Sequence, residues 1–451
     1  MAADPRKTAL NVLNELGKAR KTLDRILKDV DDSKDFLKRD RALLNALVYG
    51  VLRWRGRLDH ILSFFSTQRL DNIEPDVLNI LRLGLFQIIY LNRIPNSAAV
   101  NTSVELTKSV AASWTAGFVN ALLRNASKNY NAVPFPDWAK DPVSALATEK
   151  SFPVWLIKRW ADRFGLKTVE ALCDAINSIP PISIRTNSLK TTRQKLIQSL
   201  EGQVEKMEPT RYVPDGIHMF NPKKSIPQFD AFKKGWFQVQ DEAAQLVTLL
   251  LDPQPGEIVL DACAGLGGKT GHIAQQMKNL GKIVAMDKDW TKLSRLETDM
   301  ARLGVSIVST RLHNLDNAPN LKEFGDFDRI LLDAPCSGLG VLRRNPDIKW
   351  HASKKDLKQY TQRQVRFLSH LALLVKVSGI LVYAVCSIEP EENEDVIEAF
   401  LGKNTGFILD QAVGKLLKAV CSQAHFEGVF KTYPHLKHMD GFFMARLRRQ
   451  K

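Results

Sequence analysis

The chain has 451 residues, 44% hydrophobic and 25% charged, with 64 Lys and Arg against 49 Asp and Glu and a formal net charge of +15. That length exceeds one hydrophobic core, so several globular domains are expected, and the basic excess favours a polyanionic partner. No apolar run reaches the roughly 18 residues of a spanning helix, and the start, MAADPRKTALNVL, is charged where a secretory signal is apolar; no membrane partner and a cytoplasmic location are therefore expected.

Residues 1–130 read as helix after helix. Thr8–Lys28 places Leu10, Val12, Leu13, Leu16, Leu23, Ile26 and Leu27 at helical spacing. Asp40–Arg53 repeats the pattern, and Pro75–Leu91, Val100–Ser109 and Ala116–Asn125 continue it. With no strand pattern among them, an all-α bundle is expected. Basic residues gather at its turns: Arg53-Trp54-Arg55-Gly56-Arg57, Arg82, Arg93 and Arg124. Arginine beside an aromatic suits phosphate contact with base stacking. For any one of these residues the plainer reading is a solvated helix end, with Trp54 in the core.

Asn131–Pro136 has the composition of a linker. Pro153–Ile179 is helical again and Pro180-Pro181 stops it. Ile182–Asn187 reads as a strand and Thr192–Leu200 as a helix, on a small α+β unit that ends near Gly235. Its Lys223, Lys224, Lys233 and Lys234 could guide a nucleic acid backbone or simply keep a loop soluble.

From Trp236 apolar strands alternate with helices. The strands are Ile258–Leu260, Lys282–Ala285, Ser306–Leu312, Arg329–Leu332, Ile380–Val385 and Gly441–Leu447; the helices are Thr270–Met277, Lys292–Leu303 and Leu357–Val375. Such alternation predicts a doubly wound parallel sheet with an antiparallel element at its end.

Ile258–Ala274, IVLDACAGLGGKTGHIA, is a strand, a glycine turn and a helix start, a shape that receives an anionic ligand end. A phosphate-cradling GxxxxGK[ST] fails because its first glycine falls on Cys263. A dinucleotide GxGxxG fails because its third glycine falls on Thr270. An adenosyl cofactor carrying a carboxylate remains, and S-adenosyl-L-methionine is such a molecule. Asp287, after the next strand, could accept ribose hydroxyls from any nucleoside cofactor.

The chain has five cysteines, Cys173, Cys263, Cys336, Cys386 and Cys421. Their wide spacing, with no CxxC and no paired His/Cys set, supports neither a metal site nor a disulfide framework. Arg329–Gly340, RILLDAPCSGLG, ends a buried strand in an acid, a proline and a thiol. Ile380–Asn393, ILVYAVCSIEPEEN, ends a second strand in another Cys-Ser step. Neighbouring parallel strands would aim both thiols at one crevice. A core cysteine is the plain alternative for either alone.

Four stretches together resemble a known family: Gly235–Val247, Asp261–Thr270, Leu331–Trp350 (LLDAPCSGLGVLRRNPDIKW) and Tyr383–Glu394 (YAVCSIEPEENE). They look like the RNA cytosine-C5 methyltransferases of the Nop2/Sun/Fmu group. HLKHMDGFFMARL is similar to that group's closing hairpin, and the amino-terminal bundle is similar to NusB, an antitermination RNA-binding protein. The resemblance implies a multidomain chain: an all-α NusB-like bundle over 1–130, a small α+β linker domain over 131–235, and a Rossmann-like α/β methyltransferase domain over 236–451.

By the motif match, Cys386 resembles the family's nucleophile and Cys336 its release cysteine. Asp333 matches the acid that faces the cytosine N3 edge, and Lys269 the lysine after the glycine turn. Spacing alone leaves either thiol free to attack. The resemblance implies S-adenosyl-L-methionine as cofactor, held by Cys263, Ala264, Gly265, Leu266, Gly267, Gly268, Lys269, Asp287 and Asp333, with Asn314 or Asp316 at the adenine edge. Its implied partner is small-subunit (16S) ribosomal RNA before assembly, and the enzyme is expected to be a monomer.

This chain departs from the family pattern in three places. Gly265-Leu266 stands where the family usually has Ala-Pro, Val385 stands where it has Thr, and Asn314 falls where its cofactor acid should be. A transfer RNA methyltransferase with the same parts and a non-catalytic RNA-binding factor are the rival readings. A dinucleotide-dependent oxidoreductase is disfavoured by the missing third glycine.

Overall fold

The structure, a computed structural model, describes every residue except 1–3, 19–20, 34–35, 320–323, 412–427 and 438; Cys421 lies outside the described residues. The chain forms two compact units, Met1–Ser178 with Asn345–His351, and Ile179–Arg344 with Ala352–Lys451.

The first unit is helical. Asp4 caps α1 (Pro5–Gly17) by accepting from the Arg6 N–H at 2.9 Å, and Pro5 occupies the first turn, where its missing N–H costs nothing. The run expected as one helix over Thr8–Lys28 is two, α1 and α2 (Leu23–Ser33), because Gly17 weakens a helix interior and suits its end. Conversely, α3 (Lys38–Phe65) runs past Arg53, where an end was expected. α4 (Pro75–Tyr90), α5 (Asn96–Val110) and α6 (Ser113–Asn129) complete a bundle cored by Leu47, Val51, Ile80, Leu85, Leu106 and Leu123. α7 (Pro142–Lys150), opened by an Asp141 cap, was not expected. The predicted helix Pro153–Ile179 is α8 (Val154–Phe164) and α9 (Leu166–Asn177), divided at Gly165, whose φ of 77° favours glycine.

Because α3 is unbroken, Arg53–Arg57 lie within a helix and not at a turn. Arg53 is buried, Trp54 stacks on Tyr90 with ring centroids 5.1 Å apart, and the Arg57 guanidinium lies 5.3 Å from the Phe135 centroid. Arg82 is also buried and donates to both Asp59 carboxylate oxygens at 2.7 and 2.8 Å. Packing accounts for these residues, whereas Arg93 and Arg124 are exposed. In the segment Asn345–His351, the buried Lys349 Nζ donates to Arg53 O, Ser151 O and Asn177 Oδ1 at 2.8, 3.0 and 3.3 Å.

The second unit begins with β1 (Ile182–Thr186), α10 (Arg193–Leu200), β2 (Val204–Pro209), β3 (Gly216–Pro222) and β4 (Phe237–Val239). Its strands pair antiparallel in the order β2-β3-β1-β4 over Ile184, Leu196, Leu200, Ile217, Phe229 and Phe237. Lys223, Lys233 and Lys234 are exposed, while Lys224 lies half-buried with Nζ 4.9 Å from the Phe229 centroid.

α11 (Glu242–Leu251), β5 (Ile258–Asp261), α12 (Gly268–Gln276), β6 (Lys282–Asp287), α13 (Trp290–Leu303), β7 (Val308–Leu312) and β8 (Phe327–Asp333) follow. The chain closes with α14 (Lys354–Ala372), β9 (Val375–Val385), α15 (Glu394–Lys403), β10 (Phe407–Leu409), β11 (Val429–Thr432) and β12 (Phe442–Arg449). They form an eight-stranded sheet of order β10-β12-β9-β8-β5-β6-β7, with β11 paired to β12. β9, β8, β5, β6 and β7 run parallel, and β10, β11 and β12 are the antiparallel end the alternation predicted. Successive strand residues face opposite sides. Val259, Ile283, Leu331 and Val382 pack with α11, α12 and α13, while Leu260, Met286, Leu332 and Tyr383 pack with α14 and α15. The expected fold class is thus observed: a helical bundle, a small α+β unit and a doubly wound α/β sheet. α11, α15, β10 and β11 were not expected, and β9 begins before the predicted Ile380.

Candidate active site

β8 and β9 are parallel neighbours with Asp333 opposite Ala384, and the Ala334 N–H bonds Ala384 O at 2.9 Å. Cys336 lies two residues beyond Ala334 and Cys386 two beyond Ala384, so the ladder delivers both thiols to the same end of the sheet. The Cys336 and Cys386 sulfurs are 3.2 Å apart, and both residues are half-buried. Gly340 locks the turn that follows Cys336. Its N–H bonds Cys386 O at 2.9 Å, and its O accepts from the Gly441 N–H at 2.8 Å. A Cβ on Gly340 would collide with Gly441 O and Cys386 O, so close approach of the backbones requires glycine here.

The cation beside the thiols is Lys269, in the first turn of α12. Its Nζ lies 2.5 Å from Asp333 Oδ2 and 5.6 Å from the centroid of Phe442, the first residue of β12. Burial opposes its charge, but Asp333, Asp261 and Cys386 outweigh burial and hold the Lys269 pKa above the ordinary lysine value. Cys336 is treated differently. The hydrogen bond to Cys386, burial and the charge of Glu392 all push its thiol pKa up.

The glycine turn lies over the ends of β5 and β6. Gly265 and Gly267 have φ of 56° and 82°, and a Cβ on Gly267 would sit 2.6 Å from the Leu296 side chain. Asp287 staples this turn by accepting from the Gly265 N–H at 3.0 Å and the Asp289 N–H at 2.9 Å. Each carboxylate oxygen keeps a further lone pair for a ligand hydroxyl. Ala264 is buried, its N–H bonded to Met286 O at 2.9 Å, and Leu266 is exposed. Burial pushes the Cys263 thiol pKa up, which disfavours a thiolate there. Asp261, at the end of β5, is buried with its pKa raised to about 7 by burial. Its Oδ2 accepts from the Thr270 hydroxyl at 2.7 Å, while its Oδ1 has no partner among the described residues.

Of the two candidates for the adenine edge, Asp316 is engaged. Its carboxylate is 3.0 Å from Arg363 Nη2 and 2.5 Å from Arg366 Nη2. Asn314 is exposed and turns its Oδ1 to the Asp316 N–H at 3.1 Å.

Two features of the site escaped the sequence reading. Arg344 donates to Asp440 Oδ2 and Asp241 Oδ2, both at 2.7 Å, and Arg343 reaches Asp440 Oδ1 at 3.3 Å. A basic pair that reads as solvent-facing therefore anchors the residue before Gly441. Glu392, fully buried, accepts from the Ser337 N–H at 2.8 Å and from the Ser337 and Ser387 hydroxyls, both at 2.5 Å. It stands among Glu389, Glu391 and Glu394, of which Glu389 is also fully buried, and nothing in the sequence marks which acid meets the two serines.

Residues 248–448 match the family model for the 16S rRNA methyltransferase RsmB/F, 3–128 that for the NusB family, and 152–225 that for the RsmF/B-like ferredoxin-like domain. The Bacillus subtilis protein named "Probable ribosomal RNA small subunit methyltransferase B" is 36% identical over 446 residues, 99% of this chain and 98% of that one. The Pseudomonas syringae ribosomal RNA small subunit methyltransferase B is 36% identical over 374 residues, 82% of this chain and 80% of that one. Among solved structures, PH0851 superposes with a TM-score of 0.83 at 27% identity over all of both chains. A methyltransferase homologue from Pyrococcus horikoshii does so with a TM-score of 0.58 at 28% identity, over 68% of this chain and 99% of that one. The chain belongs to the RsmB/F family of 16S ribosomal RNA methyltransferases and is an RNA methyltransferase.

Proposed function

We propose that the chain transfers a methyl group from S-adenosyl-L-methionine to carbon 5 of a cytosine in 16S ribosomal RNA, through a covalent bond between Cys386 and carbon 6. The observation that carries this reading is the contact of the two sulfurs beside the Lys269–Asp333 ion pair.

Carbon 5 of cytosine is a weak nucleophile. Addition of the Cys386 sulfur to carbon 6 turns the ring into an enamine, and carbon 5 then has an electron pair to give. Asp333, at the end of β8, is suited to hold the N3 edge as charge gathers there, with Lys269 fixing the carboxylate. Lys269 also stabilises negative charge on the Cys386 sulfur before it attacks and after it leaves. Once carbon 5 is methylated, a base takes its proton, the freed electron pair re-forms the carbon 5–carbon 6 double bond, and the Cys386 sulfur leaves as a thiolate; Cys336, in contact with that sulfur, serves this release.

When bound, S-adenosyl-L-methionine supplies an electrophilic methyl group. The residues present fit it: the unpartnered buried Asp261 Oδ1 suits a cationic group, the Asp287 carboxylate suits hydroxyls, and the φ-positive glycines let a ligand approach the backbone. With Asp316 held by Arg363 and Arg366, Asn314 is the residue we assign to the adenine edge. The bundle, with Arg93 and Arg124 exposed, would help to dock the RNA before the subunit assembles.

Bisulfite mapping of ribosomal RNA from cells lacking this protein tests the reading. The expected result is loss of one protected cytosine in 16S RNA. An unchanged 16S map with a cytosine lost from transfer RNA would overturn it.

A further inference from the structure

We propose that Glu392 is the positioning residue of the thiol pair: its buried carboxylate ties together the turns after β8 and β9 and so keeps Cys336 and Cys386 in contact. This rests on the reading above, in which both sulfurs must meet one pyrimidine.

A thiol is a weak hydrogen-bonding group, so a cysteine cannot hold its own place. Here the neighbouring serine does it. Ser337 follows Cys336, Ser387 follows Cys386, and both hydroxyls donate to the same oxygen, Glu392 Oε2, at 2.5 Å. The other oxygen, Oε1, accepts from the Ser337 N–H at 2.8 Å and from Gln364 Nε2 at 3.2 Å. Gln364, on α14, also donates to Pro335 O at 3.0 Å, so the helix behind the sheet braces the first turn and its clamp together. The acid is itself fixed, since the Tyr383 hydroxyl on β9 donates to Glu392 O at 2.7 Å. Ser387, Gln364, Tyr383 and Glu392 are all fully buried. Hydrogen bonds to a carboxylate are stronger than neutral ones, and a satisfied buried network is rigid.

The two sulfurs also interact with groups of opposite charge. The Glu392 carboxylate acts on Cys336 and disfavours a thiolate there, while the Lys269 ammonium acts on Cys386. Tyr360 and Tyr383 also interact with Cys336. This polarity separates two thiols that sequence spacing leaves equivalent.

Phenylarsine oxide tests the clamp without RNA or methyl donor, because arsenic closes two sulfur bonds and releases water only when two thiols lie in contact. Wild type should retain one equivalent, and Cys336→Ala and Cys386→Ala should not. Glu392→Ala should weaken retention by about tenfold or more and lower kcat for methyl transfer on the order of a hundredfold at unchanged KM, with Glu392→Gln intermediate. If Glu392→Ala does not fold, the Ser337→Ala/Ser387→Ala double variant, which removes both hydroxyl donors, decides in its place. Wild-type retention and kcat in whichever variant is read overturn the proposal. Absence of methyl transfer by wild type with arsenical capture intact would instead count against the proposed function alone.

Discussion

Lys269 Nζ and Asp333 Oδ2 lie 2.5 Å apart, joining the first turn of α12 to the end of β8. The pair brings together the glycine turn and the first cysteine turn, two motifs far apart in sequence. Because the Lys269 pKa is raised in the folded protein, the stabilisation from its ammonium is complete below the ordinary lysine value of about 10.4 and is lost as pH rises through the higher folded value.

Replacing the ammonium should therefore cost catalysis at neutral pH. Lys269→Met is expected to reduce methyl transfer on the order of a hundredfold, the usual effect of removing one charge-stabilising group from a site. Single-turnover transfer to 16S RNA measures it. A wild-type rate would make the ion pair purely structural.

Asp261 gives a pH signature. Burial raises its pKa to about 7 from an ordinary value of about 3.9, against the opposing hydrogen bond from Thr270. The folded state keeps a proton that the unfolded chain has released. This residue's contribution to stability is thus complete below about pH 4 and is lost as pH rises to about 7. Asp261→Asn removes the titration, so its Tm should gain on wild type between about pH 5 and pH 7 and hold that gain above. A constant difference across the range contradicts the assignment.

Gly340 has no room for a methyl group against Gly441 O and Cys386 O. Gly340→Ala should destabilise the protein by about 1–3 kcal/mol and displace Cys386, so that activity falls further than stability alone explains. Denaturant unfolding and kcat measured on the same preparation check this. Unchanged values would show that the backbone yields at no cost.

The helical bundle offers a separate check. Lys349→Met leaves Arg53 O, Ser151 O and Asn177 Oδ1 without their shared donor, at a cost of about 3 kcal/mol or more. The Tm of the variant should drop by several degrees, and an unchanged Tm would contradict it.

The meeting of Cys336 and Cys386 was legible because parallel strands end on one side, and two Cys-Ser steps at strand ends leave little freedom. The glycine turn was legible because positive φ at Gly265 and Gly267 demands that residue type. Burial of charged side chains was not legible. Glu392 is one acid among several, and Arg344 looks like any surface arginine until Asp440 and Asp241 close on it. Helix ends failed for a related reason: Gly17 and Gly165 break periodic runs, whereas Gly56 does not, because packing within the bundle carries α3 through it.

The central claim is that Cys386 attacks carbon 6 and Cys336 releases the product. Cys336→Ala, incubated with 16S RNA and S-adenosyl-L-methionine, tests it most directly on a denaturing gel. The account predicts an RNA–protein adduct that survives denaturation and disappears when Cys386→Ala is added to the same chain. An adduct that persists without Cys386, or full turnover by Cys386→Ala alone, would contradict it.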